Sequence, residues 1–103
     1  MHVDQEVATL ESAVEVTDVL YVTRIQKERF TSEEEYNAVA NSYVVDAELL
    51  KCAKQKMIVM HPLPRLGEIA REVDSDPRAA YFRQMRNGMY MRMAILDYFL
   101  GQH

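Results

Sequence analysis

The stretch DVLYVTRIQKERF, residues 18–30, decides how the chain is read. It opens with an apolar run, Val19-Leu20-Tyr21-Val22, and then sets Arg24, Gln26, Lys27, Glu28 and Arg29 within six positions. An apolar run that ends in a burst of charge reads as a buried strand running into a loop. In open α/β sheets ligands bind beyond the carboxyl ends of the strands, which makes such a loop a natural site. A second stretch has the same form: Met57-Ile58-Val59-Met60, then His61-Pro62-Leu63-Pro64-Arg65. Two strand ends carrying polar, restricted loops frame the chain. The fold class they point to is α/β, with a partial parallel sheet, flanking helices and a long C-terminal helix.

The remaining elements fit that frame. His2-Val3 reads as the stub of a strand, followed by a short helix over 9–14 capped by Thr9. The strand at 19–23 is aliphatic without alternation, which predicts burial on both faces. Ser32 and Glu35 form a capping box for a helix to about residue 41, with Glu33 and Glu34 at the positive end of its dipole. Tyr43-Val44-Val45 is a short extended piece, and Asp46 caps a helix over 47–55. With the strand at 57–60 this order gives βαβ units and parallel pairing. Asp76-Pro77 predicts a helix start, and Gly101 a stop after residue 100. Phe82, Met85, Met89, Met93, Leu96 and Leu100 form one helical stripe that reads as core, with a kink expected at Asn87-Gly88.

At 103 residues the chain is at most one domain. Its 49% apolar and 27% charged residues are those of an ordinary soluble globular protein, and its net charge of -4 argues against a nucleic-acid partner. Cys52 is the single cysteine, which rules out an internal disulfide and fits a reducing, cytoplasmic location. No run approaches the ~20 apolar residues of a membrane span, and the polar, acidic N-terminus is not a secretory signal.

The chemistry lies in the two loops. Arg24 offers a planar fork for a carboxylate or phosphate, Gln26 both donates and accepts, and Glu28 is placed to orient a neighbouring arginine. The loop has no glycine, so side chains rather than backbone would hold the anion. The competing reading is a solvated charged loop. Pro62 and Pro64 stiffen the second loop, remove two N–H donors and leave its carbonyls to face a substrate N–H; the Leu63-Pro64 bond is a candidate for the cis form. Here the competing reading is a stiff turn leaving the sheet. His2, His61 and His103 show no ligand spacing, so no metal is predicted. No serine or cysteine sits in a nucleophile elbow. Cys52 reads as helix filler, and Arg78, Arg83, Arg86 and Arg92 as solvated or interface charges on the last helix. A small anionic metabolite is the ligand these residues favour.

At these loops the chain resembles the aspartate/ornithine carbamoyltransferase family, and its aspartate branch in particular. The matching residues are the run from Asp18 to Arg29, His61-Pro62-Leu63-Pro64-Arg65, Asp74-Ser75-Asp76-Pro77-Arg78-Ala79-Ala80-Tyr81-Phe82-Arg83-Gln84, Asn87-Gly88-Met89-Tyr90 and Arg92-Met93-Ala94. The wording is similar to the C-terminal third of an aspartate carbamoyltransferase, nearest to the eukaryotic multifunctional pyrimidine-synthesis proteins. Pro62 stands where the ornithine branch normally carries cysteine.

The resemblance implies a Rossmann-like aspartate-binding domain and transfer of a carbamoyl group from carbamoyl phosphate to the amine of L-aspartate, without metal or cofactor. It implies that Arg24 and Gln26 bind aspartate and that Leu63 and Pro64 carry the loop contacts to the carbamoyl group and amine. Lys27, Glu28, Arg29, His61 and Pro62 would organise the site, Glu28 by holding Arg24 and Arg29 through closure ion pairs. Residues 1–76 would be a partial aspartate-binding domain, and residues 77–103 a helix that packs on a carbamoyl-phosphate domain. The family's Ser-Thr-Arg-Thr phosphate motif has no counterpart here. The same holds for the groups that bind the carbamoyl oxygen and those a neighbouring subunit of a homotrimer supplies. The expectation is half a site, inactive alone. The alternative is a non-catalytic interaction module that binds other carbamoyltransferase subunits.

Overall fold

Two short strands, β1 (Val19–Tyr21) and β2 (Ile58–Met60), pair in parallel with Val19 opposite Ile58, Leu20 opposite Val59 and Tyr21 opposite Met60. The chain is seen here in a computed structural model, which describes residues 4–6, 8–41 and 43–102. Between and around the strands run α1 (Leu10–Val14), α2 (Glu33–Asn41), α3 (Ala47–Leu50) and α4 (Tyr81–Leu100). Two 3-10 turns, Lys27–Arg29 and Arg71–Ser75, complete the order. The architecture is α/β, a small parallel sheet with helices, as its sequence predicts. His2 and Val3, expected as a strand stub, lie outside the described residues.

The caps form where the sequence places them. Thr9 Oγ1 accepts from Ser12 N at 3.2 Å, Ser32 Oγ from Glu35 N at 3.2 Å and Asp46 Oδ1 from Leu49 N at 2.9 Å. Each takes up an amide that the first helical turn leaves without a partner. The Glu35 carboxylate does not close a reciprocal capping box; it accepts from the Thr31 hydroxyl at 2.8 Å instead.

One face of the sheet carries the core. Leu20, Val22, Met57 and Val59 share that face and meet Val14 of α1 and Leu49 and Leu50 of α3, with Val45, Ile69, Val73 and Tyr81 completing the cluster. Burying such a side chain contributes roughly 1.5–3 kcal/mol. The expected burial of β1 on both faces does not hold: Val19 is 49% and Tyr21 52% exposed. Helices lie against one side only, and the other is met at a corner where Gln84 Nε2 reaches Tyr21 Oη at 3.4 Å.

Six further expectations are corrected. The piece at 43–45 does not join the sheet; Val45 forms a parallel bridge with Ile69 through Val45 N to Glu68 O and Ala70 N to Val45 O, both 2.8 Å. The place beside β2 is taken by Ala79, with Val59 N donating to Arg78 O and Ala80 N to Val59 O, both 2.8 Å. That pairing also explains why the last helix starts at Tyr81 and not at Pro77. Asp76 caps a tight turn, its side chain accepting from Arg78 N at 2.9 Å and its carbonyl from Ala79 N at 3.0 Å, and the helix begins only after Ala79 has made the sheet contact. Third, α3 ends at Leu50 rather than residue 55, leaving Cys52 exposed on a turn. Arg78, expected as a solvated charge, holds that turn: its Nη1 donates to the carbonyls of Leu50, Ala53 and Lys54 at 2.8, 3.5 and 3.3 Å while Asp76 fixes the other side of the guanidinium.

The last two corrections concern α4. Asn87-Gly88 causes no break, and the helix is continuous for 20 residues. A glycine there costs about 1 kcal/mol relative to alanine, too little to interrupt a run of good helix formers. A methyl added there would make ordinary contact with the Arg92 guanidinium, 3.4 Å from its Nη1. The stripe read as core is bare: Phe82, Met85, Met89, Met93, Leu96 and Leu100 are all 49–78% exposed, and Tyr81 is the buried residue of the helix. Helical periodicity identifies a face that needs covering, but not which molecule covers it.

Candidate functional site

The two loops converge at the carboxyl ends of β1 and β2. Val22 N donates to Met60 O at 2.9 Å, so the chains leave the sheet side by side. Beyond Thr23, Arg24, Gln26 and Glu28 line a cleft of about 250 Å³ together with Ile25, Tyr36 of α2 and Leu66 from the end of the proline loop. The 3-10 turn Lys27–Arg29 is closed by Arg29 N to Gln26 O at 3.1 Å. Arg24 is exposed, and no side chain among the described residues forms a hydrogen bond or ion pair with its guanidinium. The Glu28–Arg24 pair implied by the resemblance is thus not formed, although both residues line the cleft. Arg29 is exposed at the end of the turn. Lys27 begins that turn.

The proline loop is rigid for reasons the residues make plain. The Leu63-Pro64 peptide is cis, and Leu63 has φ 45°, in the left-handed region. That conformation costs a non-glycine residue roughly 1–3 kcal/mol and persists only where the surroundings hold it. The hold is a hydrogen bond from Leu63 N to His61 Nδ1 at 2.8 Å. His61 is buried, and its Nε2 faces Glu68 Oε1 at 2.6 Å. Pro62 is exposed and lines a second cleft, about 210 Å³, with Tyr21, His61, Gln84, Gly88 and Arg92.

Arg65 fastens the far end of the loop. Its Nη1 donates to Asp74 Oδ1, its Nη2 donates to Asp74 Oδ2 at 2.7 Å, and Tyr81 Oη donates to the same carboxylate. Arg65 Nη1 also lies 3.2 Å from Tyr81 Oη. The Arg65 guanidinium beside Asp74 is the main reason its carboxyl is held down at about 2. Burial, then the Asp74 carboxylate, pushes the Tyr81 phenol up to about 12. For Asp74 the folded value lies below the unfolded one, so its contribution to stability is full above about pH 4 and is lost as pH falls toward 2. For Tyr81 the folded value lies above the unfolded one, so its contribution is full below pH 10 and is lost as pH rises toward 12. Urea unfolding of the wild type should therefore show a midpoint that declines between about pH 4 and pH 2. Asp74→Asn should start lower and decline less; equal slopes would remove the triad from the acid response.

Larger hollows lie elsewhere, and their chemistry is poorer. One of about 530 Å³ behind the first loop is walled by Leu10, Ile25, Val39 and Tyr43. Another, about 680 Å³, is lined by Lys51, Lys56 and Arg78, of which Lys51 pairs with Glu48 and Arg78 already serves Asp76 and the carbonyls after α3. Among the described residues no group of three histidine, cysteine or acidic side chains is placed to hold a metal ion. No helix among them is long and apolar enough to cross a membrane.

Sequence reasoning missed Glu68, Gln84, Tyr36 and Leu66. Glu68 stands in an acidic stretch seven residues beyond His61, and nothing in that spacing marks it as buried. Gln84 sits on the last helix, where only a fold that turns α4 toward His61 gives its amide a role.

Residues 2–99 match the family model described as aspartate/ornithine carbamoyltransferase, Asp/Orn binding domain. The chain is 58% identical over 98 residues to the multifunctional protein CAD of Squalus acanthias, covering 95% of this chain and 4% of that protein. It is 57% identical over 96 residues to the aspartate carbamoyltransferase catalytic subunit of Clostridium botulinum (strain Eklund 17B / Type B), covering 93% of this chain and 31% of the subunit. The aspartate transcarbamoylase of Trypanosoma cruzi in complex with carbamoyl phosphate superposes with a TM-score of 0.75 at 55% identity, over 84% of this chain and 27% of that one. The same enzyme in complex with carbamoyl phosphate and aspartate gives 0.71 at 54% identity, over 84% of this chain and 28% of that one. The chain belongs to the aspartate/ornithine carbamoyltransferase family, in the part that forms the aspartate/ornithine binding domain. It spans under a third of the length of the bacterial catalytic subunits it matches.

Proposed function

We propose that this chain supplies the L-aspartate half of an aspartate carbamoyltransferase site, for transfer of a carbamoyl group from carbamoyl phosphate to the aspartate amine in pyrimidine synthesis. The observation that carries this is the Arg24 guanidinium, without a side-chain partner among the described residues and facing a cleft that the proline loop closes with Leu66. A dianionic substrate wants a planar cationic fork, and Gln26 beside it offers both a donor and an acceptor. Glu28 and Arg29, with Lys27 in the same turn, organise that cleft. His61 and Pro62 organise the loop whose Leu63 and Pro64 meet the carbamoyl group and the attacking amine. Catalysis of this acyl transfer is positioning and charge stabilisation. The phosphate-binding groups come from outside these residues, as do those a neighbouring subunit of a homotrimer supplies.

Residues 1–76 then form the aspartate-binding part. The bare face of α4, which begins at Tyr81, is the surface that packs on a carbamoyl-phosphate domain in the assembled, cytoplasmic enzyme. That face equally suits a non-catalytic module that binds other carbamoyltransferase subunits, and one experiment separates the two. The chain is joined, in place of the matching segment, to the rest of the Clostridium botulinum catalytic subunit. Carbamoyl aspartate formation by the hybrid, with none by the 103-residue chain alone, is the expected result. A folded, trimeric hybrid with no turnover would favour the interaction module.

A further inference from the structure

Beneath the proline loop lie two buried polar side chains that the reaction chemistry leaves unused, His61 at 1% and Glu68 at 7% exposure. A buried polar group left without a partner costs roughly 1–3 kcal/mol, so their partners carry information. The Leu63 N–H donates to His61 Nδ1 at 2.8 Å. A ring nitrogen that accepts from a backbone amide carries no proton, which puts the proton of the neutral imidazole on Nε2. Nε2 faces Glu68 Oε1 at 2.6 Å, a donor meeting a carboxylate acceptor. The same carboxylate accepts from Leu66 N with both oxygens, at 3.2 and 3.1 Å. From the other side His61 N donates to Gln84 Oε1 at 3.0 Å, which ties the start of the loop to α4.

The Glu68 backbone is fixed as well. Its carbonyl accepts from Val45 N at 2.8 Å, inside the bridge between Val45 and Ile69. The carboxylate therefore stands on a packed element and reaches back across the loop from Leu66 to His61. A peptide unit is planar, so a fixed direction for the Leu63 N–H fixes the Pro62 carbonyl on the opposite side of the same plane.

We infer that Glu68 is a positioning residue: it holds His61 as the Nε2–H tautomer, and the unprotonated Nδ1 of that ring sets the orientation of the Pro62–Leu63 peptide, beside the cleft that Pro62 lines with Tyr21, Gln84 and Arg92. His61 is thereby excluded as a general base, because both ring nitrogens are committed. The functional weight of this orientation rests on the aspartate reading above; the tautomer itself does not.

The test uses the full chain labelled with nitrogen-15. Long-range proton–nitrogen correlation reads the His61 ring, assigned against a His2→Gln, His103→Gln double variant. The wild type should show one tautomer, protonated at Nε2 and unprotonated at Nδ1; a ring protonated at Nδ1 overturns the inference outright. Glu68→Ala should release the ring to exchange between tautomers and speed hydrogen exchange at the Leu63 amide roughly tenfold. An unchanged ring and amide there would also overturn it. Glu68→Gln retains an Oε1 acceptor and should restore the wild-type pattern. Should Glu68→Ala fail to fold, judged by loss of the protected Val59 and Ala80 amides, Glu68→Gln decides: a switch to Nδ1–H sinks the proposal. Titration with L-aspartate separates the two readings. No shift at the Gln26 side-chain amide in the wild type counts against the aspartate site and leaves the tautomer result standing. Equal shifts at Leu63 and Leu66 in the wild type and Glu68→Ala remove Glu68 from any positioning role.

Discussion

Arg24→Ala, introduced into the hybrid enzyme, should raise the KM for L-aspartate by roughly two orders of magnitude and leave the KM for carbamoyl phosphate within about twofold. A hydrogen bond to a charged group contributes roughly 1.5–3 kcal/mol, and a guanidinium fork makes two of them to one carboxylate. Every 1.4 kcal/mol is about tenfold, so loss of the fork converts to a hundredfold effect or more. The variant should fold as well as the wild type, because Arg24 is exposed and touches no described side chain as a partner; such surface changes cost within about 0.5 kcal/mol. Arg24→Lys should recover part of the affinity, since an ammonium supplies the charge without the planar geometry. Steady-state kinetics with each substrate varied in turn provides the measurement. An unchanged aspartate KM in Arg24→Ala would refute the assignment of the cleft.

Leu50→Ala should destabilise the chain by about 2–5 kcal/mol, while Leu100→Ala should change its stability by less than about 0.5 kcal/mol. The two substitutions are chemically identical. Leu50 is 1% exposed, at the end of α3 under the sheet, and Leu100 is 78% exposed at the end of α4. Removing buried methyl groups loses their transfer energy and leaves a cavity that the neighbours only partly fill. A small domain is stable by only about 5–15 kcal/mol, so Leu50→Ala removes a large fraction of the total. Urea denaturation with both variants at one pH measures this. In the hybrid the contrast should narrow: if α4 packs on a carbamoyl-phosphate domain there, Leu100→Ala acquires a cost that it lacks in the chain alone. A Leu100→Ala variant as destabilised as Leu50→Ala in the isolated chain would mean that α4 is already covered.

The same contrast shows what a linear reading can and cannot reach. The strand cores at Val19 and Val59, the caps at Thr9, Ser32 and Asp46, and the stop at Gly101 are local signals. Each depends on side chains within a few residues, so each is legible. The start of α4 is not legible in this way: Asp76 and Pro77 have the local chemistry of a helix start, but they form a turn, and Ala79 pairs with a distant partner, Val59, before the helix begins. The end of α3 was misread for the mirror reason: the carbonyls after Leu50 are satisfied by Arg78, which no local rule connects to them. The kink at Asn87-Gly88 was an overestimate of one glycine against the cooperativity of a long helix.

The site divides in the same way. Residues 18–30 determined by themselves that a strand ends in a loop carrying Arg24, Gln26 and Glu28, an order that suits an anion site and a solvated loop alike. Residues 61–65 determined a rigid loop, because two prolines restrict any backbone that contains them. Only the tertiary structure decided that the two loops leave the sheet side by side and that Leu66, just past the second, lines the Arg24 cleft, since that depends on the parallel register that sets Tyr21 opposite Met60. Only it decided that Glu68 lies buried against His61, that Gln84 reaches the loop from α4, and that the methionine face of that helix stands uncovered. Sequence carries what neighbouring residues do to one another, and burial is a property of the residues that distant parts of the chain bring alongside.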